Sequence, residues 1–149
     1  MYESKSQVEV EQWYCNFAPA AYRIKEKIPL YNYDFRRGLK LMTLTLLKAK
    51  LHRIRVTEAD LNYEGSLTLD PDDMEAVGIV PYEKILCADV ENGNRFETYA
   101  ICGKRGSHVC CLNGAAAHKG KVGDRLIVMA FAQMSPEEAE NWSPKVKHF

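Results

Sequence analysis

The sequence lacks an excess of either charge, and it lacks any long apolar run. Its 149 residues carry 20 basic and 20 acidic side chains, so the formal net charge at pH 7 is zero. A chain without net charge lacks the general electrostatic attraction that draws basic proteins to nucleic acid or to anionic membranes. No apolar run has the length of a membrane-spanning helix, and no secretory signal stands near the start. We therefore expect a soluble cytoplasmic protein with neither a nucleic-acid nor a membrane partner.

Cysteine is too scarce and too irregularly spaced for a disulfide framework. Its five residues are an odd number without a C-x-x-C pair: Cys15, Cys87, Cys102, Cys110 and Cys111. Small secreted proteins usually carry an even set of cysteines, and structural zinc sites need paired ligands. The spacing argues against both classes and favours a reducing compartment. We expect no metal.

After about Leu39 the sequence does contain a series of short strand-like runs. They are residues 44–56, 66–69, 84–89, 95–102, 108–112 and 125–131. Turn signals at 92–93, 104–107, 113–114 and 122–124 separate these runs. Many short strands at close spacing predict a mainly β domain, either a small barrel or a sandwich. Residues 1–41 scatter aromatic residues and prolines without a hydrophobic period, so they predict no core-building element.

Three short helical segments are predicted between the strands. Asp70 is a suitable N-cap for a helix that has Pro71 at its first position and stops at Gly78. Thr57 similarly predicts a capped turn over residues 58–61. The segment Ser-Pro-Glu-Glu from Ser135 predicts a last capped helix, against which a nearby tryptophan can pack.

The dipeptide Gly65-Ser66 is a candidate site of self-processing. A serine hydroxyl can attack the carbonyl carbon of a preceding glycine, because the glycine leaves that carbon open and its backbone free to strain. Elimination from the resulting ester cuts the chain, and loss of ammonia then leaves a pyruvoyl ketone. Such a ketone forms a Schiff base with an amine and withdraws electrons from it. Any single Gly-Ser is more often a turn, and Gly106-Ser107 is a second one.

Other residues of suitable chemistry lie on the predicted strands and turns. Lys50 and His52 share one face of their strand, and Arg95 and Tyr99 share one face of another. Two cations of this kind can hold two carboxylates, and a tyrosine can donate a proton. The segment 113–117, Asn-Gly-Ala-Ala-Ala, can offer an amide and open backbone N–H groups to an anion, or it is an ordinary turn.

Several stretches together resemble a known family. They are KLHRIRVTEADLNYEGSLTLD, GNRFETYAI, RGS and LNGAAAHKGKVGD, and the likeness runs from about Met42 through MSPEEAENWSPKVKHF at the end. In these stretches the chain resembles bacterial aspartate 1-decarboxylases, the pyruvoyl-dependent enzymes of pantothenate synthesis. The resemblance implies a double-psi β-barrel with short helices, assembled as a homotetramer. It also implies a proenzyme that cuts itself between Gly65 and Ser66, so that Ser66 becomes the covalent pyruvoyl cofactor.

The resemblance further implies a role for each matching residue. Thr98 would stabilise the tetrahedral intermediate of the cleavage, and Tyr99 would protonate the product after carbon dioxide leaves. Lys50 and Arg95 would bind the two carboxylates of L-aspartate, with neither assigned to a particular one. The remaining contacts to pyruvoyl and substrate would come from His52, Tyr63, Asn113, Gly114, Ala115 and Ala116.

The chain differs from the family at its N-terminal end. Residues 1–41 precede the usual start of the family, and we expect a misassigned start there rather than a real appendage; residues 42–149 would form the barrel.

Strict alternation puts Thr98 opposite Arg95 and Tyr99, which predicts a bulge or strand end nearby, or a different role for Thr98 during maturation. An acetyltransferase-like maturation factor is a further partner that the resemblance suggests.

Three alternatives stay open at the level of sequence. The first is a barrel that never forms pyruvoyl and acts as a binding module. The second is a hydrolase that uses Ser66 itself as nucleophile, although no G-x-S-x-G elbow is present. The third is a pyruvoyl enzyme for another amino acid, against which the pairing of Lys50 with Arg95 argues, because a buried cation would be left without its carboxylate.

Overall fold

A computed structural model describes residues 43–149, and the predicted extension 1–41 lies outside the described residues. Eight strands form the domain: β1 Leu44–Arg55, β2 Glu58–Asp60, β3 Leu67–Leu69, β4 Lys84–Asp89, β5 Arg95–Cys102, β6 Cys110–Asn113, β7 Arg125–Met134 and β8 Lys145–His148. The helices are α1 Pro71–Val77, α2 Pro136–Ala139 and a 3-10 helix at Gly114–His118. The prediction of a mainly β fold with short helices is confirmed.

The strands form one mixed sheet in the order β2-β6-β3-β5-β4-β7-β1-β8. Parallel pairing joins β1 to β8, β2 to β6 and β3 to β5, and the other ladders are antiparallel. In this hydrogen-bond order the sheet is open, with β2 and β8 at its ends. A mixed, strongly crossed sheet of this kind is consistent with the double-psi barrel that the resemblance implies.

One face of the sheet forms the core, because apolar residues alternate along the long strands. Leu51 and Val128 are fully buried and lie opposite each other on β1 and β7. The same row continues through Cys87 on β4 to Phe96 on β5. Burying a side chain of this size stabilises a fold by roughly 1.5–3 kcal/mol. The central ladder therefore fixes which residues of each strand face outward.

Helix α1 begins and ends where the sequence predicts. The carboxylate of Asp70 accepts a hydrogen bond from the Asp72 backbone N–H at 2.9 Å, and Pro71 occupies the first turn. Gly78 ends the helix with φ +78°, a conformation that glycine adopts without a side-chain clash. At the other end of the chain, Ser135 and Glu138 form a complete capping box on α2.

The predicted turn over residues 58–61 is wrong. Residues Glu58–Asp60 form β2, which pairs in parallel with β6. Thr57 does not cap a helix, because its hydroxyl donates to the Cys110 carbonyl at 3.2 Å and accepts from the Cys110 N–H at 3.0 Å. A distant strand therefore takes the hydrogen bonds that a local turn would have used.

The C-terminal segment contains an element that the sequence pattern did not reveal. The indole N–H of Trp142 donates to the Leu47 carbonyl at 2.8 Å, which brings the chain back onto β1. Four residues then pair in parallel with β1 as strand β8, and His148 lies opposite His52. Because β8 is only four residues long, its strand conformation is stabilised by pairing with β1 rather than by its own composition.

No helix in the described part of the chain is long and apolar enough to cross a membrane. The thiols of the four described cysteines, Cys87, Cys102, Cys110 and Cys111, are free. Burial raises the pKa of the Cys87 thiol to about 12, so this side chain behaves as a core residue rather than as a nucleophile.

Candidate functional site

Gly65 and Ser66 lie in an unusual backbone conformation at the start of β3. Their φ angles are +81° and +78°, and a residue with a side chain rarely adopts such an angle. Holding Ser66 there costs on the order of 1–2 kcal/mol. The Gly65 N–H also donates to the Tyr63 carbonyl at 2.6 Å, which closes a tight turn over Glu64. Strain is thus concentrated at the bond between Gly65 and Ser66.

The hydroxyl of Ser66 is buried and has no hydrogen-bond partner among the described residues. Ser66 as a whole is 5% exposed. An unpaired buried hydroxyl is costly, and such groups are uncommon in folded proteins unless they serve a purpose. The oxygen therefore remains available to a reacting atom next to it.

Gly114 packs directly against this strained turn. A Cβ atom on Gly114 would lie 3.0 Å from the Tyr63 carbonyl oxygen and 3.1 Å from the Gly65 Cα. Gly114 begins the 3-10 helix and has a φ of +56°. Only glycine satisfies both the close approach and the backbone angle.

Asn113 connects the same region to β3. Its backbone N–H donates to the Ser66 carbonyl at 3.0 Å, and its side-chain amide donates to the Thr68 hydroxyl at 2.8 Å. The Cys111 thiol lies 3.1 Å from the Asn113 side-chain oxygen, and Asn113 is 2% exposed. These bonds hold the carbonyl of Ser66 in place. The following residues Ala115 and Ala116 form the body of the 3-10 helix, and Ala116 packs on the core.

The second Gly-Ser pair has a different environment. Gly106 also has a positive φ, +74°, but Ser107 is exposed and its hydroxyl donates to the Lys104 carbonyl at 2.5 Å. The same hydroxyl accepts from the Val109 N–H at 3.3 Å. Gly106-Ser107 is therefore an ordinary hydrogen-bonded turn, and the two pairs differ in the one property that matters for self-attack.

Thr98 and Tyr99 lie on β5, the parallel neighbour of β3. Leu67 pairs with Ala100, so Ser66 and Tyr99 precede partnered residues on adjacent strands. The β4–β5 ladder runs without interruption from Arg95 to Tyr99, and β5 continues to Cys102. The bulge or strand end predicted near Thr98 is therefore not present. Thr98 is half-buried on the core side of the sheet, whereas Tyr99 faces outward and is 41% exposed.

Lys50, His52, Arg95 and Tyr99 all share the outer face of the sheet. The row from Arg95 passes through Ala88 and Ile127 to His52, and Lys50 lies two residues before His52. This row crosses three strand-to-strand steps, each about 4.8 Å in a regular sheet. Within one chain the structure thus separates Lys50 and His52 from the Arg95 and Tyr99 pair. Arg95 itself is exposed, and its guanidinium donates to the Gly93 carbonyl at 3.2 Å.

His52 has a neighbour that the sequence reasoning missed. The rings of His52 and His148 meet edge to face with centroids 4.9 Å apart, and the Nδ1 atom of His52 is buried without a partner. Burial first, and then the charges of Lys50 and His148, lowers the pKa of His52 below its usual value. The imidazole is therefore neutral at pH 7. A histidine at the end of the chain carries no sequence signal for this contact, because only the pairing of β8 with β1 creates it.

Tyr63 and Thr68 are the two remaining residues near Ser66. Tyr63 is 53% exposed and contributes its carbonyl oxygen to the turn, as described above. Thr68 was not predicted as a functional residue, although it lies two positions after Ser66 and anchors the Asn113 amide. Its period-two spacing from Ser66 is the one sequence signal that could have pointed to it.

Comparison with known proteins identifies the family of the chain. Residues 42–149 match the model of the aspartate decarboxylase family, and the chain belongs to that family. The chain is 52% identical over 105 residues to an aspartate 1-decarboxylase of Ruminiclostridium cellulolyticum, which covers 70% of this chain and 82% of the relative. A relative of the same name from Salinibacter ruber is 51% identical over 107 residues, which are 72% of this chain and 73% of that protein. A third, from Lactiplantibacillus plantarum, is 55% identical over 105 residues, covering 70% and 81% of the two chains. The resemblance noted in the sequence is confirmed.

Proposed function

We propose that this protein removes the α-carboxylate of L-aspartate to give β-alanine and carbon dioxide, with a pyruvoyl group made from its own Ser66. The family of the chain supports the substrate and the reaction. The observation that carries the cofactor is the buried, unpartnered hydroxyl of Ser66 beside a glycine carbonyl in strained backbone. β-Alanine made in this way would supply pantothenate synthesis in the cytoplasm, and the free thiols of the described cysteines support that compartment.

The bonds that form and break in the cleavage belong to Gly65 and Ser66. The Ser66 oxygen attacks the Gly65 carbonyl carbon, the C–N bond between the two residues breaks, and an ester replaces the amide. Loss of the serine Cα proton and departure of the Gly65 carboxylate then cut the chain. Relief of the positive φ angles at both residues favours this rearrangement. The enamine left at residue 66 exchanges its nitrogen for a water oxygen, and ammonia leaves.

The environment of Ser66 fits a small ketone. The Asn113 backbone N–H already donates to the Ser66 carbonyl, and Gly114 leaves room where a side chain would intrude. A pyruvoyl group at residue 66, held by Asn113 and Gly114, would supply an electron sink for the substrate amine during loss of the carboxylate. Arg95 and Lys50 each bind one carboxylate of the substrate, and His52 supports that binding. Tyr99 donates the proton that replaces carbon dioxide.

Assembly is part of this proposal. Lys50 and His52 lie three strands from Arg95 and Tyr99 in one chain, so a complete set around one substrate draws on a second copy. The outer face that carries them also exposes Tyr99 (41%), Phe131 (41%) and Val146 (42%). Exposed apolar side chains on this face support self-association, and the family resemblance suggests a homotetramer. An acetyltransferase-like maturation factor remains a proposed partner that rests on the family resemblance alone.

The decisive test is the intact mass of the purified protein under denaturing conditions, after incubation with and without the maturation factor. We expect two fragments, one ending at Gly65 and one beginning at residue 66, with the second lighter by one ammonia than its serine form. Ser66→Ala should remain whole, whereas Ser107→Ala should still be cut. A fragment ending at Gly106, or a chain that stays whole with the factor present, would overturn the proposal.

The same measurement separates the alternative functions. A hydrolase that uses Ser66 as nucleophile needs the serine intact and a base bonded to it, but the Ser66 hydroxyl has no partner in the described part of the chain. A binding module would stay uncut and unreactive toward carbonyl reagents. A substrate panel of L-aspartate, L-glutamate and L-alanine then distinguishes a pyruvoyl enzyme for another amino acid.

A further inference from the structure

Two strained residues outside the candidate active site line the same cavity. Among the described residues, four that are not glycine have a positive φ: Arg53, Ser66, Tyr82 and His108. Ser66 is the candidate cofactor residue. Arg53 (φ +67°) and His108 (φ +54°) both line a cavity of about 490 Å³. Strain of this kind persists where the surrounding structure imposes it, and it concentrates at functional sites.

Arg53 is brought to the cavity by a bulge in β1. The register of β1 against β7 shifts between His52 and Ile54, so Arg53 is the extra residue. A bulge redirects a side chain that regular alternation would place elsewhere. The described part of the chain contains five arginines, Arg53, Arg55, Arg95, Arg105 and Arg125, and Arg53 alone makes no hydrogen bond there. Its guanidinium, with five N–H donors, is left to solvent or to a ligand.

The cavity wall is strongly cationic. Arg53, Arg55, Arg125 and His108 line it together with Ile54, Thr57 and Phe149, and no acidic residue does. The acids nearby are already engaged: Glu91 accepts from Arg125 at 2.6 Å, and Asp70 accepts from the His108 N–H at 2.6 Å. Arg55 uses one nitrogen on the Gly123 carbonyl at 2.8 Å and keeps its other donors. The Arg53 guanidinium and the remaining donors of Arg55 are therefore left for an anion.

One wall of the cavity is aromatic. Phe149 is held by its backbone N–H, which donates to the His52 carbonyl at 3.2 Å, and the residue is 49% exposed. The Lys147 ammonium lies 5.1 Å from the centre of that ring, and its charge is paired with Asp73. A volume of about 490 Å³ falls in the range of small-molecule sites and exceeds the needs of a single phosphate ion.

We propose that this cavity binds a small molecule carrying two or more phosphate groups, with the phosphates on Arg53, Arg55 and Arg125 and a flat apolar part against Phe149. Arginine guanidinium groups match phosphate oxygens with paired hydrogen bonds, which is why they dominate such sites. None of the residues assigned to decarboxylation lines the cavity. The inference therefore stands apart from the proposed function.

Calorimetric titration of the full-length protein with inorganic pyrophosphate and, separately, with ATP tests the proposal. We expect saturable binding of pyrophosphate at one site per chain, and tighter binding of ATP because its base contacts Phe149. Arg53→Gln should weaken both by about tenfold, the equivalent of one lost charge-assisted hydrogen bond. Arg105→Gln, which makes the same charge change outside the cavity, should leave both unchanged.

A second variant guards against misfolding at the bulge. Arg53→Gly relieves the positive φ, so the protein should fold at least as well as the parent and still lose pyrophosphate binding. Equal binding in the Arg53→Gln and Arg105→Gln variants would overturn the site. So would binding of L-aspartate in the cavity without binding of pyrophosphate, because that outcome assigns the arginines to carboxylates instead.

Discussion

The Cα of Gly65 lies only 3.1 Å from the place where a side chain on Gly114 would begin. The contact joins the strained dipeptide at the start of β3 to the first residue of the 3-10 helix, which is far away in sequence. It means that the geometry of the Gly65–Ser66 bond is set partly by a residue from a distant part of the sequence.

Gly114→Ala is expected to slow self-cleavage by about tenfold or more. The added methyl group must displace the Tyr63 carbonyl or the Gly65 backbone, and a small misplacement of a reacting atom has a large effect on rate. The fraction of uncut chain over time, read by denaturing gel, measures this. Gly106→Ala is the matched control: it has a similar φ of +74° but open space around it. Equal slowing by both variants would show that strain alone, without the contact, controls processing.

Because Asp89 and Asp124 form a buried carboxyl pair, we expect the stability of the protein to depend on pH in an unusual way. Both are nearly buried, with 2% and 4% exposure, and they interact directly. Burial first, and then the neighbouring Asp124, raises the pKa of Asp89. A raised carboxyl pKa contributes stability that is fully present below the pKa of an unfolded aspartate, about 3.9, and is lost as pH rises through the folded value.

Asp89→Asn should therefore reduce the loss of folding stability that occurs as pH rises. Urea midpoints at about pH 5 and about pH 7.5 should differ less in the variant than in the parent, with the variant relatively more stable at the higher pH. Asp60→Asn, at an exposed carboxylate, should not change the slope. A slope in Asp89→Asn as steep as that of the parent would place the titrating group elsewhere.

Asp73 and Lys147 connect α1 to β8 by a partly buried ion pair. The Asp73 side chain is 1% exposed, its Oδ1 accepts from Lys147 at 2.5 Å, and its Oδ2 has no partner among the described residues. Lys147→Met would leave the carboxylate buried and unpaired, which should destabilise the protein by about 2–4 kcal/mol. The double variant Asp73→Leu with Lys147→Met should recover most of that loss in urea unfolding. A double variant less stable than the single one would mean that Asp73 stabilises the protein even without Lys147.

His148 is expected to tune the charge of His52. Because His148 is one of the groups that lower the pKa of His52, His148→Phe should raise that pKa toward its usual value. The pH titration of the His52 ring by NMR gives this directly. His118→Phe, at an exposed histidine on the 3-10 helix, should leave the titration where it is. No upward movement of the His52 pKa in His148→Phe would leave burial, Lys50 and Arg53 as sufficient causes.

Local signals in the sequence predicted the parts of the fold that local interactions determine. Asp70, Pro71 and Gly78 delimit α1 as expected, because capping and the left-handed stop depend on a few adjacent residues. The alternation of Lys50 with His52 and of Arg95 with Tyr99 predicted their shared faces correctly. The sheet order was not predictable in this way, so the distance between these two pairs came only from the structure.

The features that the sequence did not predict have one physical origin. Strands β2 and β8 are three and four residues long, and each exists because a distant strand supplies its hydrogen bonds. The bulge at Arg53 likewise depends on how β1 meets β7 rather than on the residue itself. Such features have no periodic pattern, since the partner that creates them is remote in sequence.

The position of Gly65 and Ser66 between β2 and β3 has a consequence for folding. A cut there leaves β1 and β2 on one chain and the other strands on the second, yet β1 stays between β7 and β8, and β2 stays paired with β6. The two pieces would remain interleaved in one sheet. Refolding of the uncut chain is a first-order process, whereas refolding of the cut protein requires two chains to meet and therefore depends on concentration. Maturation would thus convert a domain that can refold by itself at any dilution into one whose recovery after unfolding fails in dilute solution.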